Sequence, residues 1–209
     1  MKRDPKEVVR AGYDSCGLRY NMSRDLDPCP ALDALIEILP ANAEVLDIGI
    51  GGGRPVAEVL SRRASITGVD ISPVQIAEAR KVLPEARLIT GDIVAQNFDD
   101  ASFDAIVSFY TLIHVPRDEH EPLLRRIARW LRPRGYLLIT VGRTDTPVYT
   151  EPNFFGVTMF WSHFETAWYV TALERLGFEI LQHGVVGLPL EHHPILLARA
   201  HAWSDASAV

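Results

Sequence analysis

Glu44-Val45-Leu46-Asp47-Ile48-Gly49-Ile50-Gly51-Gly52-Gly53 is the stretch that decides the fold. Residues 44–48 read as a short apolar strand, and four glycines within the next five positions follow it at once. Glycine accepts positive φ and lets the backbone approach a ligand closely, so the cluster predicts a tight strand-to-helix turn with a binding role. Working outward, a helix is expected over 55–63 with proline near its first turn. Strands are expected at 65–69 and 86–90, around a helix capped by Ser72 that runs from Pro73 to about Val82. Residues 103–109 are apolar on both faces, as a central strand between two helix layers must be. A helix at 119–131, an Arg-Pro-Arg-Gly turn at 132–135 and a strand at 136–141 follow. The rhythm then breaks into a polar, aromatic-rich stretch from 142 to 162, before a helix at 165–176 and strands at 178–186 and 194–200. Helices at 6–22 and 31–39 precede the glycine loop.

Strands alternating with helices predict an α/β class: a doubly wound, mostly parallel, seven-stranded sheet with helices on both faces. The organisation expected is a single domain over 1–209. Residues 1–40 form a helical cap, 41–142 the ligand-binding core, and 143–209 a substrate-side insertion with the C-terminal strands. A chain of 209 residues with 47% hydrophobic content can build its own core. A net charge of -6 argues against a duplex nucleic-acid partner. Cys16 and Cys29 form no metal-ligand pattern, and no apolar stretch is long enough to span a membrane, so a cytoplasmic protein without a metal is expected. Glu191, His192 and His193 do not suggest a metal site, because adjacent residues of a strand face opposite ways.

Two ligand classes compete for the loop. A dinucleotide fingerprint starting at Gly49 needs glycine at position 54, which is arginine. Asp47 would crowd a pyrophosphate but suits a ligand bearing an ammonium group, which counts against a nicotinamide oxidoreductase. A second acid, Asp70, ends the second strand, where it is able to accept hydrogen bonds from ribose hydroxyls. Asp92 follows the third strand, placed for an adenine amino group between Ile71 and Ile93. Three carboxylates at the ends of three successive strands are far more specific than the glycines alone.

These motifs resemble the class I S-adenosylmethionine-dependent methyltransferases, in their small-molecule branch, most strongly over 35–142. The resemblance rests on VLDIGIGGG, on Asp70 in GVDISPVQIAEAR, on Asp92 in GDI, on SFDAIVS with FYTLIHV after it, and on LRPRGYLLIT. Ile50 and Gly52 depart from the small residues usual at those places. It implies S-adenosylmethionine as cofactor, S-adenosylhomocysteine as product, and transfer of a methyl group to a heteroatom of a small molecule. The alternative is a protein that binds S-adenosylmethionine without transferring methyl. Cofactor contacts are expected at Asp47, Gly49, Gly51, Asp70, Ile71, Asp92 and Ile93, with Tyr110, Tyr13 and Tyr20 around the methionine end. His114 and His163 are the candidate bases, each with a structural reading beside it: a bond to backbone for His114, a helix cap for His163. Tyr149, Phe155 and Trp161 are the candidate acceptor-binding residues. Nucleic-acid acceptors are disfavoured because no Asn/Asp-Pro-Pro-aromatic motif follows the central strand.

Overall fold

A computed structural model describes residues 4–23, 29–187 and 192–201. Two helices open the described chain, α1 (Pro5–Met22) and α2 (Pro30–Ile38). They are followed by β1 (Ala43–Ile48), α3 (Val56–Leu60), β2 (Ala64–Asp70), α4 (Pro73–Val82), β3 (Arg87–Thr90) and β4 (Phe103–Ser108). The second half holds α5 (His120–Trp130), β5 (Leu131–Thr140), β6 (Thr146–Phe154), β7 (Val157–His163), α6 (Thr166–Arg175), β8 (Phe178–Val186) and β9 (His193–Ala200). The main sheet has seven strands in the order β3-β2-β1-β4-β5-β9-β8. Only β9 runs against the rest, pairing antiparallel with both β5 and β8.

Strand alternation divides the core. Val45, Ala105, Val107 and Leu138 pack with α2 and α3 on one face. Leu46, Ile48, Ile106, Leu137 and Ile139 pack with α5 and α6 on the other. Apolar residues at both parities leave no solvent face, which fixes the doubly wound arrangement. Because β1 lies between β2 and β4, chain connections leave it in opposite directions and open a crevice at its C-terminal end, beside the glycine loop.

Three elements differ from the sequence reading. The helix expected over 55–63 stops at Leu60, with Ser61 as its C-cap. The turn expected at 132–135 is a bulge within β5: Leu131 already pairs with Phe103, and pairing resumes at Tyr136 with Ala105. The irregular stretch after Gly142 is a β-hairpin, β6–β7, forming a separate two-stranded sheet. β6 carries Pro147 and Pro152 and is exposed along most of its length, so it lacks the apolar alternation that marks a strand. Among the described residues, no helix is long and apolar enough to cross a membrane.

Candidate active site

The glycine loop is set by backbone geometry. Gly49, Gly51 and Gly53 have φ of +75°, +55° and +82°, the region L side chains avoid. A Cβ on Gly49 would run into the Thr111 side chain, whereas one on Gly51 would meet nothing within 4 Å, since it faces an open cleft. Asp70, at the end of β2, orders the loop from the side. Its carboxylate accepts from the Gly51 N–H at 2.9 Å and from the Ser72 N–H at 2.8 Å. Each oxygen keeps a further lone pair for a ligand. Burial raises the Asp70 pKa to about 6, against those two N–H bonds, with the Asp14 charge adding to the rise.

The cleft, about 710 Å³ of empty space counted to its open mouth, is lined by Gly49, Gly51, Asp70, Ile71, Asp92, Ile93, Tyr110, Tyr13, Tyr20 and His114. These ten positions were expected from sequence to share a site. That volume suits a nucleoside-sized ligand with room beside it. Asp47 does not line the cleft. It shares the parity of Val45, lies buried beneath the loop, and has its pKa raised to about 8 by burial and by the charge of Asp70.

Asp92 caps the turn after β3, its Oδ1 accepting from the Val94 N–H at 2.9 Å. Its Oδ2 meets Lys6 Nζ at 2.7 Å, and the same ammonium lies 2.6 Å from Glu119 Oε2. Burial pulls the Lys6 pKa down, but the bonds and charges of Asp92 and Glu119 outweigh it and leave the pKa raised. Lys6 and Gln75 line the cleft without having been anticipated. Neither belongs to a motif, and each is placed by tertiary contacts: Lys6 by Asp92 and Glu119, Gln75 by the docking of α1 against α4. That docking uses Ser72 Oγ donating to Asp14 Oδ1 at 2.6 Å and a paired amide contact between Asn21 and Gln75.

His114 stands at the opposite end. The Phe160 carbonyl lies 2.6 Å from its Nδ1 and the Tyr13 hydroxyl 3.0 Å from its Nε2. A carbonyl only accepts, so Nδ1 carries the hydrogen and Nε2 accepts from Tyr13. Burial, reinforced by His193 and His163 and opposed by the Phe160 bond, lowers the His114 pKa to about 4, so the ring is neutral at pH 7. The Trp161 ring lies 5.2 Å from the His114 ring, although Trp161 is not part of the cleft lining. Tyr149 and Phe155 are 49% and 40% exposed on the hairpin and do not reach the cleft. His163 is also separate from His114: its Nδ1 donates to the Thr144 carbonyl at 2.9 Å, at the base of the hairpin. Among the described residues there is no cluster of histidine, cysteine or carboxylate able to hold a metal. Glu191 lies outside the described residues.

A glycine loop at the switch point of a doubly wound sheet, with acids at the ends of β2 and β3 facing one cleft, defines a nucleoside-binding α/β domain of the methyltransferase type. Residues 46–139 match the family model described as a methyltransferase domain. The trans-aconitate 2-methyltransferase of Variovorax paradoxus (strain S110) is 36% identical over 124 residues, 57% of this chain and 47% of that protein. The chain spans about half the length of the curated relatives it matches. Among solved structures, the 1,6-didemethyltoxoflavin-N1-methyltransferase of Burkholderia thailandensis, with 1,6-didemethyltoxoflavin and S-adenosylhomocysteine bound, superposes with a TM-score of 0.73 at 25% identity over 96% of this chain and 92% of that one. Magnesium protoporphyrin IX methyltransferase from Synechocystis PCC 6803 shares the fold, with a TM-score of 0.67 at 20% identity over 94% and 100%. Residues 46–139 thus carry a methyltransferase-domain match, on a fold shared with S-adenosylmethionine-dependent methyltransferases.

Proposed function

We propose that this protein is an S-adenosylmethionine-dependent methyltransferase of the cytoplasm, acting on a heteroatom of a small molecule and not on nucleic acid. The observation that carries the reading is the meeting of Gly51, Asp70 and Asp92 around one cleft, the loop amide of Gly51 held by the Asp70 carboxylate. The cradle fits the cofactor: Gly51 leaves open the space a Cβ would fill. In this reading Asp70 receives the ribose hydroxyls, Asp92 the adenine amino group, and Ile71 and Ile93 the faces of the ring. Gly49, Gly51, Tyr13, Tyr20 and Tyr110 surround the methionine end, where aromatic faces suit a sulfonium. Asp47 acts from beneath the loop.

When bound, S-adenosylmethionine supplies an electrophilic methyl group. The chain's own residues supply alignment and a place for the acceptor's proton. His114 Nε2, neutral and at the cleft wall, is that place; His163 has no part, being bound to backbone away from the cleft. The cap expected before the core is supplied by α1, whose Lys6, Val9, Tyr13 and Tyr20 line the cleft, while the hairpin lies behind it, with Trp161 against the His114 ring and Tyr149 and Phe155 outside the lining. The curated relatives are named for trans-aconitate, which makes that compound the first acceptor to assay. Incubation with methyl-labelled S-adenosylmethionine and an acceptor panel tests the function. Label in a small-molecule product, with S-adenosylhomocysteine formed in equal amount, supports it. Binding of S-adenosylmethionine with no transfer to any of a broad panel would leave a non-methylating binder.

A further inference from the structure

We propose that Thr140, buried in β5 and outside the cleft lining, is a positioning residue for the methionine end of the cofactor, its hydroxyl holding Tyr110 in a left-handed backbone conformation. This rests on the cofactor reading above, and it adds to that reading a residue that touches no ligand.

Phe109, Tyr110 and Thr111 line the cleft one after another. Consecutive residues of an extended strand point to opposite sides, so three in a row on one cleft require the extended backbone to break. Tyr110 makes that break, with a φ of +58°. For a residue with a bulky side chain this conformation is unfavourable, and it persists only where the surroundings hold it. The ladder between β4 and β5 has already ended there, its last pair being Ser108 with Ile139. One residue further along β5 the Thr140 side chain takes over, its Oγ1 accepting from the Tyr110 N–H at 2.5 Å. Thr140 is fully buried and pairs through its backbone with Ile195 of β9, so the acceptor stands on a strand inside the sheet. Removing the hydroxyl would leave a buried N–H without this partner, the costliest way to lose a hydrogen bond.

The effect reaches the glycine loop. Thr111 follows Tyr110 and packs so closely on Gly49 that a Cβ there would collide with it. The same turn is closed from its far side by the His114 N–H, which donates to the Thr111 carbonyl at 2.9 Å. A Tyr110 that relaxes to negative φ therefore shifts Thr111 against Gly49, and Gly49 and Tyr110 both belong to the methionine end in the cofactor reading. The adenine end is carried separately, by Asp92 and Ile93 in the turn after β3, which Thr140 does not support.

Two variants separate the hydroxyl from the shape: Thr140→Val removes the acceptor and Thr140→Ser keeps it. Calorimetry should show S-adenosylhomocysteine bound at least about tenfold more weakly by Thr140→Val, and within about twofold of the wild type by Thr140→Ser. Adenosine, which lacks the methionine end, should bind the wild type and Thr140→Val alike. In the unliganded proteins, the Tyr110 N–H should be protected from exchange in the wild type and in Thr140→Ser, and should exchange at least about tenfold faster in Thr140→Val. Unchanged S-adenosylhomocysteine binding in Thr140→Val, an equal loss for adenosine, or failure of serine to restore binding would overturn the inference. Should Thr140→Val not fold, exchange in the wild type decides: a protected Tyr110 N–H supports the inference and an unprotected one overturns it. Failure of S-adenosylhomocysteine to bind the wild type would strike the cofactor reading instead, and exchange at Tyr110 would still decide what Thr140 holds.

Discussion

Asp47 and Asp70 sit at the ends of neighbouring strands, and each pays for burial with a raised pKa, to about 8 and about 6. An acid whose pKa is higher folded than unfolded contributes stability that is complete below the unfolded value, near 3.8, and is lost as pH rises to the folded value. For Asp47 that window runs from about pH 4 to about pH 8. Between pH 6 and pH 8 the wild type should lose about 2 kcal/mol through this group alone, at about 1.4 kcal/mol per pH unit. Asp47→Asn should lack that part of the slope, as urea unfolding of both proteins at the two pH values would measure. Gly49 sets a steric requirement instead. Gly49→Ala combines positive φ with collision against Thr111, and should abolish S-adenosylhomocysteine binding in a titration of protein that still folds. Asp47, Asp70 and Gly49 were legible in the sequence as a group. The position of Asp47 under the loop was not, because its side is fixed by strand parity and by the helices packed over that face.

At the scale of elements, α1 covers the cleft that the sheet leaves open, and the β6–β7 hairpin packs against α1 from outside the lining. Val9, Met159 and Phe160 form a small apolar cluster between them, and Arg19 Nη2 donates to the Phe155 carbonyl at 2.9 Å. Lys6 ties α1 to the turn after β3 through Asp92, and to Glu119 ahead of α5. These are partly exposed ion pairs, worth about 1 kcal/mol or less each. Lys6→Met should therefore leave the fold intact while raising amide exchange along α1, and S-adenosylhomocysteine should dissociate a fewfold faster; unchanged exchange would mean that apolar packing alone holds the helix. The parallel core was readable because each strand carries its own apolar signature. The hairpin was not. Its strands are stabilised by pairing with each other and by aromatic contacts with α1, which no local pattern reports. For the same reason, His114 and Tyr13 were both visible as candidates, but their bond across 101 positions of sequence became visible only with α1 in place.

For the whole molecule, a ligand that binds only the folded chain must stabilise it. S-adenosylhomocysteine at one hundred times its Kd should add about 2.7 kcal/mol, raising Tm by about 5–10 °C for a chain of this size. Differential scanning calorimetry reads that shift, and NADH at the same concentration should produce none. The fold, the order of the acids and the match to a methyltransferase domain were within reach of sequence because they lie in one strand–loop–helix unit and its neighbours. Acceptor chemistry was not, because it depends on how the remote N-terminal helix packs over that unit. The most direct test of the central claim is calorimetric titration of S-adenosylhomocysteine into the wild type and Asp70→Asn. One site is predicted for the wild type, weakened about 10- to 100-fold in the variant, as expected for losing hydrogen bonds to a charged group. No binding to the wild type, or equal binding to both proteins, would contradict the account.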